Sequence, residues 1–135
     1  MKNIVKPEDL TNEDLRKWLL NVHEKYYIEL KKASELPNAF WESYSSFCNT
    51  SGGWIILGVE ERNPQNEISG VANPQKTLTS LWDQLSNTNK VSYKNIDNQD
   101  VNTYIIDGKT VIIIYVKEVA ENMKPVFVNG KLENS

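Results

Sequence analysis

Two glutamates five residues apart, Glu24 and Glu29 in "EKYYIELKKA", and the adjacent Glu60 and Glu61 that close "WIILGVEE" are the residues best suited to chemistry. Converging carboxylates make an oxygen-rich site for a hard divalent cation, Mg²⁺ or Mn²⁺, of the sort that supports phosphodiester cleavage. An odd separation along one regular strand puts Glu24 and Glu29 on opposite faces, so they converge only if Glu24 sits in the turn before the strand. From spacing alone, solvated carboxylates at strand ends are the plainer reading. Lys25, Lys31 and Lys32 lie beside Tyr26 and Tyr27, a mixture of cations and rings suited to phosphate contact and base stacking. The plainer reading there is a solvated edge with core tyrosines. His23 is the only histidine and Cys48 the only cysteine, which excludes a histidine-rich zinc site and an internal disulfide within one chain. Cys48 falls on an apolar helical face and reads as core.

The elements that would position these groups follow from periodicity. In "LTNEDLRKWLLN", Thr11 is placed to cap a short helix, with Leu15, Trp18 and Leu19 on one stripe and an end near residues 21–23. "EKYYIELKKA" then alternates Tyr26, Ile28 and Leu30 against Tyr27, Glu29 and Lys31, the period of a strand with one buried face. After Pro37, the spacing of Phe40, Tyr44, Phe47 and Cys48 predicts a second helix. "WIILGV" suits an interior strand, and a small strand is expected at residues 68–71. Pro74 opens a third helix with Leu78, Leu81, Trp82 and Leu85 inward. The polar tract 86–100 reads as a long connection, the most mobile part of the chain. "VNTYII", "DG" and "KTVIIIYV" form a hairpin on a type I′ turn.

Chain order also decides what the Gly52-Gly53 pair in "FCNTSGGWIILGVEE" does. Phosphate loops run strand, glycines, helix, because the ligand sits on the positive N-terminus of the helix that follows. Here the order is helix, glycines, strand, and no Walker-type run ending in Gly-Lys-Ser or Gly-Lys-Thr is present,. Gly52 is therefore the left-handed residue that stops the second helix, with Gly53 easing entry into a crowded strand.

At 135 residues, 39% apolar and 24% charged, the chain is sized for one domain with a single core, residues 1–135. A net charge of -3 and a pI near 5.2 mean that nucleic-acid binding requires a local patch, because the field of the whole molecule repels phosphate. The start "MKNIVKPEDL" lacks the apolar run of a signal peptide and no segment has the length of a membrane span, so a cytoplasmic location is expected.

Three blocks in this order carry a family resemblance. "EKYYIELKKA" resembles the glutamate, four residues, glutamate, apolar, lysine signature of the Schlafen AlbA-like DNA-binding domain family. "FCNTSGGWIILGVEE" is similar to its Asn-Thr, Gly-Gly, strand, Gly-Val-Asp segment, with Asn49, Thr50, Gly52, Gly53 and Gly58 as structural motif positions, and "KPVFVNGK" is similar to its Lys-Pro-Val, aromatic, Asn-Gly stretch. Together they span residues 10–132. The resemblance implies an α/β (α+β) AlbA-like domain with a mixed sheet of about five to six strands packed against two to three helices. It also implies the N-terminal part of a longer bacterial transcriptional regulator, here stopping before its last strand. The family's older description as divergent AAA ATPases has no support in this sequence. In animal Schlafen relatives a similar fold cleaves structured RNA with three carboxylates, which correspond to Glu24, Glu29 and, for the third, Glu60. Glutamate stands at that third position in place of the usual aspartate.

The leading expectation is thus a nucleic-acid-binding domain, DNA ahead of RNA, contacting phosphates through Lys25, Lys31, Lys32 and Lys124, with no certain cofactor. The alternative is a metal-dependent ribonuclease with Mg²⁺ or Mn²⁺ on Glu24, Glu29 and Glu60. A third is a protein-interaction or oligomerisation module. An exposed sheet edge predicts a homodimer.

Overall fold

The computed structural model describes residues 6–32 and 36–128. Helix α1 (Asn12–Asn21) starts where the Thr11 hydroxyl accepts the Asp14 amide at 3.2 Å, with Glu13 and Asp14 in its positive first turn,. Strand β1 (Ile28–Lys31) follows, then α2 (Ala39–Asn49) and β2 (Gly53–Leu57). A two-stranded ribbon, β3 (Val59–Glu60) with β4 (Glu67–Ile68), leads to α3 (Pro74–Leu85), whose first turn is capped by the Asn73 side chain. Strands β5 (Val101–Ile106) and β6 (Lys109–Val116) close the fold as a hairpin. Asp107 and Gly108 have φ of 55° and 76°, as a type I′ turn requires.

The main sheet has the order β1-β2-β6-β5, with β1 parallel to β2 and the other pairs antiparallel. Every residue of β2 is buried, because helices and the ribbon cover both faces of the sheet, which is why "WIIL" and "VIIIY" are continuous apolar runs. Ile55, Leu57, Ile112 and Ile114 pack with Phe40, Tyr44 and Phe47 of α2 and Leu81 and Leu85 of α3. On the opposite face, Trp54, Ile56, Val111 and Ile113 pack with Leu15 and Leu19 of α1 and with Val59 and Ile68 of the ribbon. Each fully buried Ile or Leu contributes about 1.5–3 kcal/mol relative to exposure.

The mixed α+β class is as expected, and the described residues hold six strands, but they divide into a four-stranded sheet and a separate ribbon. The ribbon strand falls at Glu67–Ile68, not over 68–71. Strand β1 begins two residues later than its alternation suggests. Lys25 and Ile28 exchange backbone hydrogen bonds at 3.0 and 3.1 Å across a turn at Tyr26 and Tyr27, which leaves Tyr26 72% exposed instead of on a buried face. The polar tract 86–100 conceals anchors: Val91 and Ile96 are buried, Val91 bridges to Val128, and the Asn95 side chain donates to the Lys117 carbonyl. Asp100 is buried and ion-paired with Lys117. The expected loss of a last strand concerns residues 129–135, which lie outside the described residues.

Asn66 ties α1 to the ribbon. It is 4% exposed, its Nδ2 donates to the carbonyls of Leu19 (3.0 Å) and Val22, and its Oδ1 accepts the Arg62 amide at 3.1 Å. These carbonyls belong to the end of a helix, where no intrahelical donor exists. Asn66→Ala leaves them without a donor and should lower the unfolding free energy in urea by about 1–3 kcal/mol. Asn66→Asp should fare no better, since it sets a carboxylate against two carbonyls.

Candidate nucleic-acid interface

Glu24 does sit in the turn ahead of β1, and its carboxylate folds back to accept the Leu30 amide at 3.0 Å. The geometry of the sheet explains this bond. The carbonyls of Tyr27 and Lys31 accept the amides of Trp54 and Gly58 in and beyond β2, both at 2.9 Å. The amides of Ile28 and Leu30 therefore face the outer edge, where they meet the Lys25 carbonyl and the Glu24 carboxylate. Glu24 thus covers part of a strand edge that would otherwise be open to pairing. The turn is fixed from behind by Glu61, whose Oε2 accepts the Glu24 amide at 3.0 Å and lies 3.4 Å from His23 Nδ1.

Glu29 and Lys31 share the opposite side of β1, 3.8 Å apart, and the Lys31 side chain is only 13% exposed. Burial raises the Glu29 carboxyl above its ordinary value, and the Glu24 charge raises it further; Lys31 opposes both, while Glu61 adds a smaller upward push. Glu60 is not brought to this group. It points toward Arg62 (3.3 Å) and Lys32 (3.8 Å), and Arg62 also reaches Glu67 across the ribbon at 3.1 Å. Adjacent residues of an extended segment point oppositely, so Glu61, not Glu60, is the third carboxylate near Glu24 and Glu29. As placed, the set does not fit a divalent cation. One oxygen of Glu24 and one of Glu61 are held by backbone amides, and among the described residues no three metal-ligating side chains gather.

The proposed phosphate-binding lysines fare unequally. Lys31 and Lys32 project to opposite faces and each meets a carboxylate. Lys124 lies between Glu118 (2.7 Å) and Glu121 (2.8 Å), and these two hydrogen bonds raise its ammonium above its ordinary value. Lys25 alone of the four is exposed with no carboxylate at salt-bridge distance among the described residues. It stands with Tyr26 and Glu29 at a groove of about 530 Å³ whose far wall is α2, with Glu42, Ser43, Ser46, Phe47 and Thr50.

The remaining motif positions hold this wall in place. Gly52, at φ 77°, ends α2 with its amide on the Phe47 carbonyl at 3.0 Å. A Cβ on Gly53 would lie 2.7 Å from the Tyr27 carbonyl and 2.9 Å from the Phe47 ring, so only glycine lets helix and strand approach so closely. Asn49 clamps Val126 in both directions, Oδ1 accepting its amide at 2.8 Å and Nδ2 donating to its carbonyl at 3.2 Å. The Thr50 hydroxyl donates to the Ser46 carbonyl at 2.8 Å, and the Gly58 carbonyl accepts the amides of Ser69 and Gly70 where the chain leaves the sheet for the ribbon. Cys48 is core, and burial pushes its thiol up.

A family model described as Schlafen, AlbA_2 matches residues 24–132, from the edge-capping glutamate through the segment held by Asn49. The chain belongs to this family. Among solved structures, this Schlafen AlbA_2 domain is similar to the N-terminal domain of a protein from Nitrosomonas europaea described as related to the ATP-dependent DNA helicase RecG. The identity is 24%, over 90% of this chain and 82% of that one, with a TM-score of 0.69, and this likeness shows the fold. The DIP2311 protein of Corynebacterium diphtheriae matches at 19% identity over 79% of this chain and 20% of that one; at a TM-score of 0.46 it carries no argument. No match was found among curated proteins. Among the described residues no helix is long and apolar enough to cross a membrane.

The raised Glu29 carboxyl has a definite pH signature. Between the ordinary glutamate value of 4.5 and the raised folded value, the native state holds a proton that the unfolded chain has released. Stability therefore falls as pH rises through that window, and the penalty persists above it. Glu29→Gln should melt higher than the parent at neutral pH, with the difference closing as pH falls toward 4.5. Adding Mn²⁺ should leave the melting temperature of the parent unmoved; a Mn²⁺-dependent rise lost in Glu29→Gln would show that the carboxylates regroup around a cation.

Proposed function

We propose that this Schlafen AlbA_2 domain binds nucleic acid on the face formed by the 24–27 turn and α2, with DNA ahead of RNA as ligand and a bacterial transcriptional regulator as the setting. The observation that carries the reading is the exposed pair Lys25 and Tyr26 at the mouth of a groove walled by the hydroxyls of Ser43, Ser46 and Thr50. A cation beside an exposed ring, with the Ser43 and Ser46 hydroxyls opposite, suits a phosphate next to an unstacked base, while Glu29 and Glu42 at the same groove keep its positive charge low. The ribonuclease reading lacks that support, because two of the three carboxylates near one another are held by backbone amides.

Binding of a fluorescein-labelled DNA oligonucleotide, followed by anisotropy at low salt, tests the proposal. Lys25→Ala should weaken binding of all sequences alike and flatten the salt slope by about 0.7–0.9. The double variant Lys31→Ala, Lys32→Ala should leave the slope nearly unchanged, since both ammonium groups face carboxylates. Absence of binding by the parent at low salt would refute the reading.

An oligomeric arrangement is favoured by a second observation. Among the described residues, strand β5 forms the other edge of the sheet and carries Ile105, 58% exposed. Pairing of two copies along β5 would cover that side chain and satisfy edge amides. Light scattering should show a homodimer that Ile105→Lys converts to monomer; a parent that stays monomeric at high concentration contradicts the pairing.

A further inference from the structure

Ion pairs engage six of the cations of this domain, most of the signature lysines among them. Arg16 is paired with Asp107, Lys31 with Glu29, Lys32 and Arg62 with Glu60, Lys117 with Asp97 and Asp100, and Lys124 with Glu118 and Glu121. The net charge of -3 also weakens the long-range pull on a polyanion.

The exposed rings are distributed differently. Among the described residues, the exposed aromatics are Tyr26 (72%), Phe127 (56%) and Tyr93 (39%), and all three attach to α2. Tyr26 lines the groove with Ser43 and Ser46. Phe127 follows Val126, whose carbonyl accepts the Ser45 hydroxyl at 2.9 Å and whose backbone is clamped by Asn49. Its own backbone pairs with Ser92, through Ser92 N–H to the Phe127 carbonyl at 3.0 Å and Phe127 N–H to the Ser92 hydroxyl at 2.8 Å. The next residue, Tyr93, holds α2 through its carbonyl, which accepts the Tyr44 hydroxyl. Ser46 on the Tyr26 flank and Asn49 on the Phe127 flank are three residues apart, neighbours on the helix surface with Cβ atoms about 5–6 Å apart. Each platform has one exposed lysine next to it in sequence, Lys25 beside Tyr26 and Lys94 beside Tyr93.

We propose that a single strand of nucleic acid crosses α2, with bases stacked on Tyr26 on one flank and on Phe127 and Tyr93 on the other. Stacking supplies most of the affinity, and phosphates meet only Lys25 and Lys94. At ~3.4 Å per stacked nucleotide, the crossing takes a short run of nucleotides. Duplex DNA, with its bases stacked on one another, offers no free faces to these rings. This inference rests on the nucleic-acid reading above and names its substrate class.

The test compares labelled single strands of about twelve nucleotides, DNA and RNA, with the duplex of the same sequence, by anisotropy at ~50 and ~200 mM salt. Single strands should bind more tightly than duplex and lose less than about tenfold in affinity over that range. Tyr26→Ala and Phe127→Ala should each weaken single-strand binding by about tenfold or more, while Tyr26→Phe and Phe127→Tyr keep it. Melting curves confirm that these surface variants remain folded. A preference for one sugar supports the inference and assigns the natural strand. Duplex bound as tightly as single strand, with a steep salt dependence and no response to the aromatic variants, overturns the stacking inference and leaves the nucleic-acid reading standing. No binding of any strand at low salt removes both.

Discussion

The approach of Phe47 to Gly53 fixes the rest of this domain. At that contact the end of α2 is pressed onto the start of the central strand so closely that a methyl group would collide with both a ring and a carbonyl. The same backbone corner delivers the Trp54 amide to the Tyr27 carbonyl, which sets the register of β1 on β2 and hence which of its amides face outward. It also points Asn49 at Val126 and Ser46 at the groove. The two glycines serve helix–strand packing, and the groove beside them follows from that packing rather than from any cradle for phosphate.

Charge in this protein is arranged mainly to neutralise itself. The signature glutamate Glu24 and its neighbour Glu61 accept backbone amides, and the signature lysine Lys31 faces Glu29. A surface of this kind has little long-range pull on a polyanion. Exposed around α2, beside Glu42, Lys25 and Lys94, is a set of rings and hydroxyls, groups whose interactions act at contact and depend little on salt.

Much of the architecture was legible because local chemistry and tertiary context agree. Thr11 caps α1, Pro74 opens α3, Asp107-Gly108 turns the hairpin, and Gly52 stops α2, each through a preference that a few residues carry alone. The start of β1 was not legible, since Tyr26 continues the apolar alternation yet stands in a turn that Glu24 and Glu61 hold from outside. Nor did composition reveal the anchoring of 86–100, where Val91, Asn95 and Ile96 are separated by polar residues and find partners far away in sequence. Asn66 gave no signal at all: one more polar residue in a loop becomes the cap of a helix more than forty residues earlier. Lys124 reads as a free cation until Glu118 and Glu121 fold around it.

The Glu60 and Glu61 pair shows why a resemblance must be completed by geometry. The family pattern assigns a carboxylate to the end of this segment, but two stand there, and alternation sends them to opposite sides. Glu60 pairs with Glu67 across the ribbon and is bracketed by Arg62, whereas Glu61 reaches back to the amide of Glu24. The consequence reaches the sheet edges. With Glu61 holding the turn and Glu24 covering the Leu30 amide, the β1 edge is closed by the family's own signature residues. Among the described residues, the Asn12 side chain meets the β5 edge at the Ile105 carbonyl, at 3.4 Å. It is at this second edge that the strand pairing proposed above would take place.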